Sequence, residues 1–242
     1  MSKVAIVTGG TRGIGAAISA ALKNAGYSVA ANYAGNDEAA QKFKAETGIP
    51  VYKWSVADYD ACAAGIKQIE ADLGPVSVLV NNAGILKPSL LQDLDEANWD
   101  AHFDVNAKGV LMMCQAVLPH MRARKSGRVI NIASIAGRQG VPTQGHYAAT
   151  KAVVITLTRV LAQEVGMDGV TVNAICPGII LTEMGKNNLG SEAAIRHWED
   201  VAALKRLGAP EDIIGPVLFF ASDLSAFVTG QALNVDGGIY YH

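Results

Sequence analysis

Charge is scarce in this chain of 242 residues. Only 17% of positions are charged, the formal balance is −2, and basic residues nowhere gather into a stripe with aromatics between them. No nucleic-acid partner is expected from such a surface. Cysteine is scarcer still. Cys62, Cys114 and Cys176 stand far apart, without the paired spacing of a disulfide framework or a zinc site. They read as reduced core residues of a cytoplasmic protein, and no metal is expected. No apolar run is long enough to span a membrane, and the N-terminus enters the stretch 3–7 without a signal-peptide pattern, so no membrane partner is expected. Linkers, internal repeats and low-complexity segments are missing as well. With half of its residues hydrophobic, the chain is not disordered, and residues 1–242 are expected to fold as a single domain.

What is present is a regular alternation. Apolar runs rich in β-branched residues predict strands at 3–8, 27–33, 49–54, 76–80, 128–133, 169–175 and 231–235. Helical patterns cover 16–25, 36–47, 58–73, 97–124, 146–166 and 210–222, with a mixed helical and loop region at 182–205. Strands alternating with helices predict an α/β fold, a Rossmann-type doubly wound parallel sheet of about seven strands covered by helices on both faces.

The first strand runs into Gly9, Gly13 and Gly15 ahead of an alanine-rich helix. Glycines let backbone approach an anion closely, and a helix N-terminus offers N–H groups and a partial positive charge. The spacing is G-x-x-x-G-x-G, not the commoner G-x-G-x-x-G, and an ordinary strand-to-helix turn could carry it. Thr8 and Arg12 beside the glycines favour a nucleotide. In many dinucleotide sites an acid about 20 positions further on binds the ribose hydroxyls. Here the second strand ends in Asn32, Tyr33 and Ala34. With no carboxylate to repel a 2′-phosphate, and Arg12 to pair with one, NADP(H) is preferred over NAD(H).

Further on, Tyr147 and Lys151 lie four positions apart and share one helix face. A cation beside the phenol would pull its pKa down from about 10, making an acid/base near neutral pH. The pair alone is common by chance on surface helices. Asn81-Asn82-Ala83-Gly84 follows the fourth strand, where α/β sheets bind ligands, though asparagines there also suit a turn. Asn106 sits among apolar neighbours, where a buried amide needs partners. Ser134 ends the fifth strand without the G-x-S-x-G of a hydrolase elbow. His146 reads as a loop or interface side chain, not a catalyst.

TGGTRGIG at 8–15, NNAG at 81–84, Asn106, Ser134, Tyr147-x-x-x-Lys151 and Pro177-Gly178 come in the order and spacing of one family. On them the chain resembles the short-chain dehydrogenase/reductase family along essentially its whole length. Through residue 85 the runs AGYSVAANYAGNDEAA and VYKW are similar to acetoacetyl-CoA and related 3-oxoacyl-thioester reductases. Ser55 replaces the family's usual aspartate, and its oxygen can still accept a bond from the adenine amino group. The loop IAGRQGVPTQGH keeps only Gln144 of those reductases' glutamines. The 182–205 region looks unlike theirs, and the ending NVDGG is as close to sugar- and polyol-acting members.

The resemblance implies hydride transfer between nicotinamide C4 and a ketone carbon. Tyr147 would protonate the developing alkoxide, Lys151 would lower the phenol pKa and bond the nicotinamide ribose, and Ser134 would donate to the carbonyl oxygen. Asn106 would hold a water linking Lys151 to solvent. Cofactor contacts are implied for Gly9, Thr11, Arg12, Gly13, Ile14 and Gly15 in the turn, and for Tyr33, Ser55 and Val56 after the next two strands. They continue through Asn82, Ala83, Gly84, Tyr147, Lys151, Pro177, Gly178, Ile180 and Thr182, the last bonding the carboxamide. Substrate contacts are implied for Ser134, Gln144 and Tyr147, with the rest of the pocket in 182–205. Family members pair the helices at 97–124 and 146–166, which implies a homotetramer. The partner would be a small-molecule ketone or secondary alcohol, with a 3-oxoacyl thioester as the first choice. A sugar, polyol or other secondary alcohol is the alternative, and a non-catalytic nucleotide-binding scaffold or sensor the third. The complete set of Asn106, Ser134, Tyr147 and Lys151 argues against the scaffold. A basic entrance for a CoA or carrier phosphate would separate the first two, with Arg138, Lys186, Arg196 and Lys205 as candidates.

Overall fold

A computed structural model describes residues 3–241. In chain order its elements are β1 (Val4–Val7), α1 (Gly13–Asn24), β2 (Ser28–Tyr33), α2 (Asp37–Thr47), β3 (Val51–Lys53), α3 (Tyr59–Leu73) and β4 (Val76–Asn81). Then come α4 (Glu96–Phe103), a π turn (Asp104–Lys108), α5 (Gly109–Ala123), β5 (Gly127–Ile132), α6 (Ala136–Gln139) and α7 (Gly145–Val165). β6 (Val170–Pro177), α8 (Glu183–Leu189), α9 (Glu192–Val201), α10 (Ile214–Ala221) and β7 (Ala232–Val235) complete the chain. All strands pair in parallel in one seven-stranded sheet of order β3-β2-β1-β4-β5-β6-β7.

The period of two along each strand divides the core. Val4 and Ile6 of β1 face one layer with Ile66 and Ile69 of α3, Met113 and Val117 of α5 and Val154 of α7. Ala5 and Val7 face the other, with Ile18 and Leu22 of α1, Phe43 of α2 and Phe220 of α10. Each such fully buried side chain contributes roughly 1.5–3 kcal/mol. The doubly wound sheet expected from the sequence is therefore present. No helix among the described residues is long and apolar enough to cross a membrane, and Cys62, Cys114 and Cys176 are all buried and unpaired.

Several boundaries differ from the sequence pattern. The helix expected at 16–25 starts at Gly13, so the last two glycines lie inside its first turn. The stretch expected as one helix over 97–124 is interrupted by the π turn that carries Asn106, a local widening common at functional sites. The pattern at 210–222 divides into a 3₁₀ turn, Pro210–Ile213, and α10. Short α6, directly after Ser134, falls in a stretch expected to be loop. Helices α8 and α9 contain no buried residue.

Candidate active site

The sheet order reverses between β1 and β4, and the crevice at their C-terminal ends is where such sheets take ligands. After β1 the backbone passes through Gly9 at φ 60° and Gly13 at φ 52°, a region closed to most side chains. Gly15 is tighter still, because a Cβ there would lie 2.1 Å from the Gly9 carbonyl oxygen and 2.6 Å from Asn82 Nδ2. Thr8 and Asn82 hold the turn against β4. Thr8 Oγ1 accepts from the backbone N–H groups of Asn82 (2.9 Å) and Ala83 (3.0 Å), and Asn82 Nδ2 donates to the carbonyls of Thr8 (2.9 Å) and Gly9 (3.2 Å). Asn82's amide donors thus serve the scaffold of the turn. A glycine-rich turn at a helix N-terminus, with backbone that can be closely approached, fits a dinucleotide's pyrophosphate. Thr11 is buried at its edge, and Ile14 packs into the second core layer.

The C-terminal end of β2 holds a carboxylate that the strand sequence does not show. Tyr33 ends β2, and its hydroxyl donates to Asp37 Oδ1 (3.0 Å) at the start of α2. Lys53, paired with Tyr33 across β3, holds the same carboxylate at 2.7 Å. Asp37 is thereby neutralised locally, its carboxyl held below the ordinary range first by the Lys53 bond and then by Tyr33. Arg12 projects from the turn and lies 3.8 Å from Glu183 of α8, both exposed. Ser55 is exposed and its hydroxyl accepts from Ala57 N–H (3.3 Å), while Val56 is buried against Gly109.

β5 delivers Ser134, and α7 brings Tyr147 and Lys151 alongside. Lys151 is 4% exposed; its Nζ donates to the Ile132 carbonyl (2.8 Å) and lies 5.6 Å from the Tyr147 ring centroid. Asn106 is fully buried, and its amide clasps Ile85, taking the Ile85 N–H on Oδ1 (2.8 Å) and giving Nδ2–H to the Ile85 carbonyl (2.9 Å) and Thr150 Oγ1 (3.3 Å). Both amide donors are committed, so its side chain could offer a water only an acceptor. A Cβ on Gly84 would lie 3.3 Å from Asn106 Oδ1 and 3.6 Å from Lys151 Nζ. Gly84, Asn106 and Lys151 therefore converge on one point, with Tyr147 beside it and the Lys151 Nζ 5.6 Å from its ring centroid.

The sequence argument that Lys151 pulls the phenol down is corrected here. Crowding of protein around the hydroxyl pushes Tyr147 up to about 12, the Ser134 bond drawing it part of the way back, although the ring itself is only partly buried by area. Lys151 moves the other way, burial bringing it down to about 8. Desolvation disfavours each charged form, and neither group's shift is set by the other while the ammonium is turned to Ile132. A phenol that stays protonated across the neutral range is a proton donor, which suits reduction of a ketone.

Pro177, Gly178, Ile180 and Thr182 line the end of β6. Ile135 N–H donates to the Pro177 carbonyl (3.1 Å), Gly178 N–H donates to Val235 (3.0 Å), and Ile180 is buried. Thr182 caps α8 and lies against the glycine turn, its methyl 3.3 Å from where a Gly13 Cβ would stand. Gln144 is buried and donates to Asn188 Oδ1 of α8 (3.1 Å). The four candidate cations form no basic entrance. Arg138 turns to the Ala232 carbonyl beside Cys176, Arg196 pairs with Glu192 (3.3 Å), and Lys205 donates to the Asp200 carbonyl (2.6 Å). Only Lys186 is left for that purpose. His146 is not a loop residue: it sits fully buried in the first turn of α7, its Nε2 donating to the Lys87 carbonyl (3.0 Å). Sequence reasoning missed His102 altogether. It lies on one helix stripe with Asn98 and Asn106, four residues from each, and that polar periodicity was the available signal.

Known proteins are similar to this chain over nearly its whole length. Residues 9–240 match a family model described as enoyl-(acyl carrier protein) reductase. The acetoacetyl-CoA reductase of Shinella zoogloeoides is 50% identical over 241 residues, covering 100% of both chains. A 3-oxoacyl-(acyl-carrier-protein) reductase of Staphylococcus epidermidis is 42% identical over 245 residues, covering 99% of this chain and 100% of that one. Among solved structures, levodione reductase superposes with a TM-score of 0.93 at 31% identity, over 98% of this chain and 96% of the other.

Proposed function

This chain belongs to the short-chain dehydrogenase/reductase family, and on that premise we propose that it reduces 3-oxoacyl thioesters of the acetoacetyl-CoA type with NADPH. The observation that carries the chemistry is the convergence of Gly84, Asn106, Lys151, Ser134 and Tyr147 at the reversal point of the sheet. The thioester class rests on relatives that are similar over their whole length.

Bound nicotinamide supplies the hydride. The protein's own groups do the rest. Ser134 and Tyr147 hold the ketone oxygen, an oxyanion-type stabilisation in a partly dry site. Tyr147 then gives its proton to the alkoxide. Lys151, with three donors, leaves Ile132 to bond the ribose and lower the phenol once a cofactor is bound. Asn106, through its acceptor oxygen, would hold a water that links Lys151 to solvent, so that the proton given up by Tyr147 is replaced. The glycine turn with Thr11 and Ile14 holds the pyrophosphate. Tyr33, Ser55 and Val56 border the adenosine, and Ala83, Gly84, Pro177, Gly178, Ile180 and Thr182 enclose the nicotinamide. Arg12 exchanges Glu183 for the 2′-phosphate, which favours NADP(H) because Lys53 already offsets Asp37.

The absence of a basic entrance favours one second reading, a small ketone or sugar with no CoA handle. An NADPH-oxidation panel of acetoacetyl-CoA, the same acyl group on a short thiol, simple ketones and ketoses separates the two. A preference for acetoacetyl-CoA supports the first, and equal rates with the short thioester or higher rates with ketoses support the second. Exposed Trp99 on α4 and Val153 and Val160 on α7 suit helix pairing in a homotetramer; a monomer by light scattering would reject that assembly.

A further inference from the structure

The segment between β4 and α4 forms no strand and lies outside the sheet. Side chains and one loop carbonyl bind it instead, at the alternate residues Ile85, Lys87 and Ser89. Asn106 takes both polar groups of Ile85. Two residues on, Lys87 is bound the same way. Its N–H donates to His102 Nε2 (3.2 Å), and its carbonyl accepts from His146 Nε2 (3.0 Å) and, at longer range, from Asn98 Nδ2 (3.4 Å). Ser89 N–H then donates to the Thr143 carbonyl (2.8 Å).

These bonds fix both tautomers. His102 Nε2 accepts, so its proton is on Nδ1, which donates to the Asn98 carbonyl (2.7 Å). His146 carries its proton on Nε2, and its buried Nδ1 has no partner among the described residues. Both rings are 0% exposed and meet edge to face at 4.2 Å. A second proton on His102 would press an N–H against the Lys87 N–H. One on His146 would create a buried cation against the other ring. Charged groups on the surrounding elements are Lys87 itself, Asp95, Glu96 and Asp100 on or beside α4, Asp104 in the π turn with Lys108, and Lys151, Arg159 and Glu164 on α7. None bonds either ring. Burial holds His102 below the ordinary histidine value, opposed in part by the Asn98 bond.

We propose that His102 and His146 are positioning residues for Tyr147. As two neutral rings they fasten the Lys87 peptide to the first turn of α7, and so set the phenol's place relative to the Asn82–Ile85 stretch beside the cofactor. The catalytic consequence rests on the reductase reading above; the clamp itself does not.

Two measurements test it. In long-range 15N–1H spectra at about neutral pH, His102 is expected as the Nδ1–H tautomer and His146 as the Nε2–H tautomer, with His102 still neutral as pH falls through about 6.5. The opposite tautomer at either ring overturns the clamp whatever the substrate. The second compares His102→Ala/His146→Ala with His102→Gln/His146→Gln, whose amides reach the Nε2 positions and can still accept from and donate to Lys87. The alanine pair is expected to lower kcat about tenfold or more with NADPH affinity within about threefold, and the amide pair to recover most of the loss. Equal kcat in both pairs, or NADPH affinity falling in step with kcat, overturns the positioning role. If the native protein turns over no ketone, the reductase reading fails instead. The clamp is then judged by the Tyr147 amide signal, which the alanine pair should shift and the amide pair restore.

Discussion

The two banks of the crevice are built on different principles. The bank proposed to hold the cofactor, from Thr8 to Gly15 and from Asn82 to Ile85, is locked by reciprocal bonds: Thr8 to Asn82 and Ala83, Asn82 to Thr8 and Gly9, Asn106 to Ile85. The opposite bank, α8 and α9, contributes no buried residue and touches the rest through few polar contacts, Gln144 to Asn188 and Arg12 to Glu183 among them. Hydride and proton transfer need fixed distances, whereas a bank that only selects the substrate can be loosely held and readily altered.

The sharpest way to test that division is to remove chemistry from the rigid bank. Tyr147→Phe is expected to lower kcat by about 10³-fold, with NADPH affinity within about threefold by fluorescence titration. Asn106→Ala would leave the Ile85 N–H and carbonyl unsatisfied; urea unfolding should show a loss of about 1–3 kcal/mol. Asn188→Ala, on the loose side and opposite Gln144, should change stability by less than about 0.5 kcal/mol and raise KM for the ketone. If the two stability changes were equal, the contrast between the banks would break.

Rigidity has its own cost. Lys151 falls from an ordinary value of about 10.4 to about 8, so below that pH folding must bury a disfavoured ammonium. The unfolded chain binds more protons between these two values, and this group's contribution to stability therefore rises with pH across that window. Lys151→Met should abolish turnover yet raise neutral-pH stability by about 2 kcal/mol, with the gain shrinking toward about pH 10. Thermal unfolding at several pH values measures it. The smallest expected effect is on cofactor choice. Tyr33→Asp adds a second carboxylate beside Asp37 and should move kcat/KM toward NADH by about tenfold, or about 1.4 kcal/mol. Equal efficiency with both cofactors in the native protein would reject the role given to Arg12.

The cofactor bank was also the legible one. Gly9, Gly13 and Gly15 are demanded by backbone geometry, and Tyr147-x-x-x-Lys151 by one helix turn, so local spacing reveals both. The role of Asp37 was not legible, because its meeting with Lys53 depends on how β2 and β3 pair, and its bond to Tyr33 on how the chain turns from β2 into α2. Nor was the commitment of Arg138 to the Ala232 carbonyl, which needs β7 folded beside β6. The upward shift of Tyr147 escaped for the same reason: pair spacing predicts attraction, while desolvation depends on everything packed around the pair.

The central claim is that Tyr147 donates the proton in an NADPH-dependent ketone reduction. NADPH oxidation with acetoacetyl-CoA, measured side by side for the native protein and Tyr147→Phe, tests it most directly. The expected result is turnover by the native protein and almost none by the variant, both still binding NADPH; comparable turnover by the two would contradict it.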